Sequence, residues 1–372
     1  MVTAVVDIET DSLDATLVHC IVACDYTTGQ EKVWIQDECI EFASWAKKID
    51  TFIMHNGVSF DAPVLNRLLG SGIKLSQVRD TLLESQLYNP IRDKGHSLGA
   101  WGERLGFPKG SHTEFEYYSA EMLEYCKQDV RVTRKVAQQL EKEGEKFSNK
   151  SYELERKVRA IVDQQEKNGF SFNLREAISF LATLEEEQHD LEDKAQEIFK
   201  PVTTYSEVRK VPKITKFNIA SRKQIADRLM QRGWEPSHHT DKGNVIVSEE
   251  ILSEIDMEEA QMFSRYFLLQ KRTGLLKAWI KACEEDDRVR GRVMTLRTVT
   301  GRMAHNSPNM AQVPAVYSPY GKECRSLWTI SNPDTHTLIG TDASGLELRC
   351  LAHYMNDPVF TEEVVNGDVH TA

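Results

Sequence analysis

Two carboxylates interrupt an otherwise apolar run near the start of the chain, Ala4-Val5-Val6-Asp7-Ile8-Glu9-Thr10. The run is rich in β-branched residues and predicts a strand over residues 4–8. Successive side chains of a strand alternate between its faces, so Asp7 and Glu9 share one. Carboxylates held that way repel each other unless a cation lies between them. The pair is thus a candidate divalent-metal site, or else the solvated face of a strand. Further β-rich runs occupy residues 18–26 and 32–35, with a hairpin break at Thr28-Gly29, and a short strand is expected at 51–54. Helical patterns fall at 40–48, 63–69, 98–105 and 120–140, so the expected unit is a mixed α/β domain over residues 1–148, closed by a polar stretch at 144–151.

At 372 residues the chain exceeds one ordinary domain, and two or three are expected. Its 40% hydrophobic and 28% charged residues are ordinary for a globular protein. There is no apolar run of membrane-spanning length and no basic-then-apolar leader, which predicts a cytoplasmic protein with no membrane partner. The 7 cysteines include no C-x-x-C pair, which argues against a zinc site or a disulfide framework; Cys20 and Cys24 read as buried thiols. A net charge of -11 means that any nucleic acid must be met by a local basic face.

The second segment, 149–288, reads as mostly helical. A helix over 152–167 stops at Asn168-Gly169, and a long charged one spans 174–199. Residues 201–217 are β-branched, basic and broken by proline, and cannot form one helix. Ser221 and Gln224 form a capping-box pattern that opens a helix ended by Gly233, and 258–283 is another long helix. The third segment, 289–372, has strand-like runs at 292–298 and 337–342 and a helix at 346–355.

Two further segments follow the Asp7/Glu9 pair: His55-Asn56-Gly57-Val58-Ser59-Phe60-Asp61, and Tyr125-Cys126-Lys127-Gln128-Asp129. Tyr125 and Asp129 are four apart on a predicted helix and project from one side of it. The three segments together resemble the three motifs of proofreading 3′–5′ exonucleases with four acidic residues and a tyrosine. The resemblance implies an RNase H-like fold in which Asp7, Glu9, Asp61 and Asp129 hold two divalent ions, Mg²⁺ or Mn²⁺, and Tyr125 orients the attacking water. It assigns Asn56 and Phe60 to the terminal nucleotide of a single-stranded DNA 3′ end. His55 is expected to pack or hydrogen-bond, Asp80 to support the site from behind, and Trp101 to lie in the core.

Beyond this, Arg297-Thr298-Val299-Thr300-Gly301-Arg302, Ser307-Pro308-Asn309-Met310-Ala311-Gln312-Val313-Pro314 and Thr341-Asp342-Ala343-Ser344-Gly345-Leu346-Glu347 resemble the palm segments of family-A DNA polymerases, most closely those of the T-odd bacteriophage branch. This implies a helical thumb followed by the N-terminal part of a palm that binds primer–template DNA. Asp342 and the Ala343 carbonyl would bind the two polymerase metals, Glu347 would be the steric gate, and His370 would touch the incoming dNTP. Arg302, Gln312 and Arg325 would contact primer–template. In the thumb, Arg209, Lys210, Lys213, Lys216, Asn218, Arg222 and Lys223 form a basic cluster suited to phosphate, and Lys271 and Arg272 match the phage branch. A phage relative carries a long thumb insertion that captures thioredoxin; only residues 199–221 occupy that region here, so no such partner is expected.

Neither a second palm aspartate in an H-D-E motif nor a nucleotide-binding R-x-x-x-K helix occurs in the 372 residues. The expectation is therefore a polymerase half completed by a second chain. An intein or intron after Ala372, a stand-alone exonuclease, an RNase of the same fold and a non-catalytic DNA-binding subunit are the alternatives.

Overall fold

A computed structural model describes residues 1–206 and 209–367, and among them the side chains of Val202, 204–206 and 209–213 are excepted. The chain divides into two compact units, Met1–Leu327 and Trp328–Ala372.

The first unit opens with β1 (Thr3–Thr10), β2 (Val18–Asp25) and β3 (Glu31–Ile35), joined in antiparallel register with Asp7 opposite Val22 and Glu9 opposite Cys20. A 3-10 turn at Gln36–Glu41 and the short α1 (Phe42–Ala46) replace the single helix expected at 40–48. Then come β4 (Thr51–Met54), α2 (Asp61–Leu69), β5 (Val78–Asp80), α3 (Thr81–Tyr88), α4 (Leu98–Arg104) and α5 (Ala120–Gly144). The sheet order is β3-β2-β1-β4-β5, with β4 and β5 parallel to β1.

The alternation along β1 sorts its residues as the strand period demands. Ala4, Val6 and Ile8 join the core beneath α1 and α2, while Val5 joins the opposite core, where Met122, Cys126, Val130 and Ala137 of α5 pack on the sheet. Asp7 and Glu9 share the Val5 side and therefore look toward α5. Trp101 is fully buried, donating its indole N–H to Ser85 Oγ at 3.0 Å between the guanidinium groups of Arg92 and Arg104.

Helix α5 ends at Gly144 and α6 (Asn149–Asn168) begins five residues later, so the polar stretch at 144–151 holds a non-helical turn, 145–148, between two helices. The turn between them is no free hinge. The Tyr152 hydroxyl accepts the Asp80 N–H at 2.5 Å, and Arg156 donates to the Ser76 and Val78 carbonyls at 3.2 Å. Gly169, at φ 62°, caps α6.

Next are β6 (Phe170–Phe172), α7 (Leu174–Ile198), and a hairpin of β7 (Val202–Ser206) and β8 (Arg209–Thr215). α8 (Arg222–Met230), α9 (Glu249–Ser253) and α10 (Glu258–Ala282) complete a helical region cored by Phe199, Phe217, Phe263, Ile225 and Leu229. Half of the capping box forms as expected: Ser221 Oγ caps the Gln224 N–H. Gln224 itself turns instead to the Asn218 N–H at 2.9 Å, tying down the loop before the helix.

The first unit closes with β9 (Arg288–Val289), β10 (Arg292–Met294), β11 (Ala304–Asn306) and α11 (Gly321–Ser326). The strand expected over 292–298 is cut to β10 because Leu296, at φ 53°, turns the chain back toward β11.

In the second unit, α12 (Leu346–Met355) and α13 (Pro358–Asn366) form, with Asp357 capping α13. The strand expected at 337–342 does not: the residues are exposed and pair with nothing among the described residues. An apolar run becomes a strand only where a neighbour supplies the ladder, and an isolated one is unstable.

Candidate active site

Three non-adjacent elements carry the candidate carboxylates to one place. Asp7 and Glu9 come from the middle strand, Asp61 from the first turn of α2, and Asp129 from the sheet-facing stripe of α5. Asp7 is half-buried and the other three are buried. Ligand atoms of Asp7, Glu9 and Cys126 all lie within 4.8 Å of one another. Burial lifts the Asp7 carboxyl to about 7, helped by the charge of Asp129. Glu9 rises to about 10, through burial first and then Asp7. Asp61 is pushed well up by burial and Asp7, and Asp129 is raised by burial against the pull of Lys109. Asp61 and Asp129 both act electrostatically on Asp7, and carboxyls so placed cannot all be anions without positive charge among them.

The Asp129 Oδ1 atom is buried with no hydrogen-bond partner. An orphaned carboxylate oxygen facing other carboxylates fits a hard cation, and the set of oxygen donors suits Mg²⁺ or Mn²⁺. The nearby sulfur of Cys126 donates to the Asp7 carbonyl and carboxylate at 3.5 Å, and burial holds its thiol well up.

The loop before Asp61 is built for close approach. A Cβ on Gly57 would sit 2.2 Å from Met54 Cβ, and Asn56 adopts φ 70°. Asp80 holds the loop from behind, accepting the Asn56 and Val58 N–H groups at 3.0 Å while capping α3. Asn56 and Phe60 are thereby half-buried at the edge of the site. His55 bonds Thr81 Oγ1 at 2.9 Å and burial lowers it to about 4, a packed and neutral imidazole.

Tyr125 is half-buried, edge-on to Phe115 and near His112. Burial raises its phenol, and Lys109 bonds it. Lys109 belongs to no recognised motif, yet its ammonium is paired with Asp129 Oδ2 and lies 4.4 Å from the Tyr125 ring centroid. Only chain folding brings it there from the loop between α4 and α5.

The polymerase-type candidates are spread along the chain. Lys216, Asn218, Arg222 and Lys223 are exposed around the start of α8; Arg222 donates to the Val247 carbonyl at 3.1 Å. The side chains of Arg209, Lys210 and Lys213 lie outside the described residues, as does His370. Lys271 pairs with Glu249 at 2.8 Å, and Arg272 donates to the Pro319 carbonyl at 3.1 Å. Arg302 and Gln312 are exposed, and Arg325 donates to the Pro314 carbonyl at 2.8 Å. In the second unit Asp342, Ala343 and Glu347 are exposed, Glu347 in the first turn of α12.

The sequence profile of DNA polymerase family A matches residues 179–372, and that of a 3′-5′ exonuclease matches residues 3–145. The chain is 26% identical to the DNA-directed DNA polymerase of Escherichia phage T7, over 98% of this chain and 71% of that protein. The corresponding Enterobacteria phage T3 protein gives the same identity and coverage. DNA polymerase I of Helicobacter pylori strain J99 is 31% identical over 41% of this chain and 17% of its own length. A solved structure described as the POL domain of Pol1 from M. smegmatis in complex with DNA primer-template and dNTP shares the fold. Its TM-score is 0.71 at 16% identity, over 95% of this chain and 59% of that one.

Fold and site thus define a 3′–5′ exonuclease domain ahead of polymerase thumb and palm elements. The chain belongs to DNA polymerase family A and is of the phage type. Domains of both kinds use divalent metal ions. Among the described residues no helix is long and apolar enough to cross a membrane.

Proposed function

We propose that residues 1–148 remove nucleotides from DNA 3′ ends with two divalent ions, Mg²⁺ or Mn²⁺, held by Asp7, Glu9, Asp61 and Asp129. The observation that carries this reading is the orphaned Asp129 Oδ1 among three other carboxyls whose burial favours their neutral forms. Bound ions would supply an activated water and charge stabilisation for the departing 3′-oxygen. The Tyr125 hydroxyl orients that water, while Asn56 and Phe60 hold the terminal nucleotide on the loop that Asp80 pins.

Residues 149–288 and 289–372 act as thumb and partial palm. Primer–template phosphates are met by the basic residues around α8 together with Lys271, Arg272, Arg302, Gln312 and Arg325. Asp342, with the Ala343 carbonyl, contributes half of a polymerase metal site, Glu347 gates the ribose and His370 meets the dNTP. A second chain carrying the remaining palm and the fingers completes it, in the host cytoplasm and without thioredoxin. The exposed placement of Asp342, with no strand behind it among the described residues, supports a site that needs more polypeptide to form.

The test is a 5′-labelled primer on a longer template with the chain, Mg²⁺ and all four dNTPs. Shortening without extension is expected, lost in Asp7→Ala with Glu9→Ala. Extension abolished by Asp342→Ala overturns the half-polymerase reading. DNA binding with no shortening overturns the exonuclease.

A further inference from the structure

Lys109 is set into the carboxylate cluster by a loop that is itself fastened on two sides. The Phe107 N–H donates to the Gly102 carbonyl of α4 at 2.9 Å, and Gln128 of α5 donates to the Pro108 carbonyl at 2.8 Å. Gly102 is required for this approach, since a Cβ there would lie 2.8 Å from the Lys109 nitrogen. The backbone is thus fixed, and the ammonium is carried on a four-carbon stem with several rotatable bonds. Its ammonium pairs with one oxygen of Asp129 and leaves the other without a partner. It also lies 4.4 Å from the ring centroid of Tyr125, the residue assigned to the attacking water. The Lys109 side chain stays about a quarter exposed (26%), while Asp129 beneath it is buried.

The pair leaves Asp129 Oδ1 unsatisfied and sets the ammonium against Tyr125. The Lys109 ammonium would be repelled from that carboxylate were Asp129 to hold a cation. The scissile phosphate, which must sit over the same carboxylates, offers the displaced ammonium an anion within the sweep of its stem.

We propose that Lys109 is a catalytic residue of the exonuclease. Its ammonium holds Asp129 until ion and DNA arrive, then moves onto a non-bridging oxygen of the scissile phosphate. The proposal rests on the exonuclease reading above. In the reaction, water oxygen bonds to phosphorus and the bond from phosphorus to the penultimate 3′-oxygen breaks. That oxygen takes a proton from solvent, the water gives one up, and a nucleoside 5′-monophosphate leaves. Lys109 makes and breaks no covalent bond; it offsets the negative charge that grows on the phosphate oxygens.

The test is digestion of a 5′-labelled single-stranded DNA oligonucleotide by the full chain, with kcat and KM measured at saturating Mg²⁺. K109A and K109M should each lower kcat about 10²–10³-fold with little change in KM, while K109R restores part of the loss through its retained charge. K109M keeps an unbranched apolar stem of similar length without the charge, so an inactive K109M that melts like wild type separates lost charge from lost packing. K94A, at an exposed surface pair with Glu103, should digest normally. Wild-type kcat in K109A or K109M, with only the half-saturating Mg²⁺ concentration lowered, overturns the proposal and leaves Lys109 a placeholder for the ion. Equal loss in K109R and K109M also overturns it. A wild-type chain that leaves the oligonucleotide intact refutes the exonuclease reading itself, and this proposal with it.

Discussion

Removing divalent ions at neutral pH should weaken the first unit, and the carboxylate cluster sets by how much. The Asp7 carboxyl is held at about 7 in the folded chain against an ordinary 3.8, chiefly by burial. A raised folded value means that the native state keeps a proton the unfolded chain gives up. This stabilisation is therefore complete below about pH 4 and is lost as pH rises through 7. The upper limit for this one group is about 4 kcal/mol, and its partial exposure reduces that to about 2 kcal/mol. Glu9, held at about 10, adds loss over the same window and beyond it. For a region of this size, about 2 kcal/mol corresponds to a melting shift of about 5 °C. Thermal melts of the full chain in EDTA at pH 5 and pH 8 should differ by at least that, and Mg²⁺ at pH 8 should restore most of it. Asp7→Asn combined with Glu9→Gln should flatten the pH dependence and abolish the Mg²⁺ response. Equal melting at both pH values in EDTA, with no effect of Mg²⁺, would refute the reasoning.

Three more outcomes are expected. Asp129→Asn should cut exonuclease turnover by more than about 100-fold, beyond the 10–100-fold typical of losing an outer partner of a ligand, while the melting temperature holds, as kinetics and melts together will read. Gly57→Ala forces Cβ into Met54 and should cost about 1–3 kcal/mol, seen as a lower melting temperature together with lost digestion. Tyr152→Phe strands the buried Asp80 N–H and should cost about 1–3 kcal/mol, measured by denaturant unfolding; an unchanged midpoint would show that the α6 contact does not hold β5.

Much of the site was legible before any coordinates, for local reasons. The strand period puts Asp7 and Glu9 on one face of β1, and helical spacing aligns Tyr125 with Asp129 along α5; neither depends on the rest of the chain. Asn168-Gly169 ends α6 because Gly169 takes a positive-φ, extended-ψ backbone (φ 62°, ψ -178°) that in practice only glycine adopts. The helices at 174–198 and 258–282 could be read in the same way.

What only the tertiary structure decided is what depends on distant partners. The run at 337–342 has the composition of a strand yet pairs with nothing among the described residues, because a ladder needs a neighbour that composition does not supply. Gln224 fits a capping box by spacing, but the loop at Asn218 competes successfully for its side chain. Lys109 carries no motif; packing of its loop against α4 and α5 delivers its charge to Asp129, twenty residues along the chain. The meeting of β1, α2 and α5 likewise turns separate acidic residues into one site. Burial there then makes unpaired negative charge costly, and a cation placed among these carboxyls would relieve that cost.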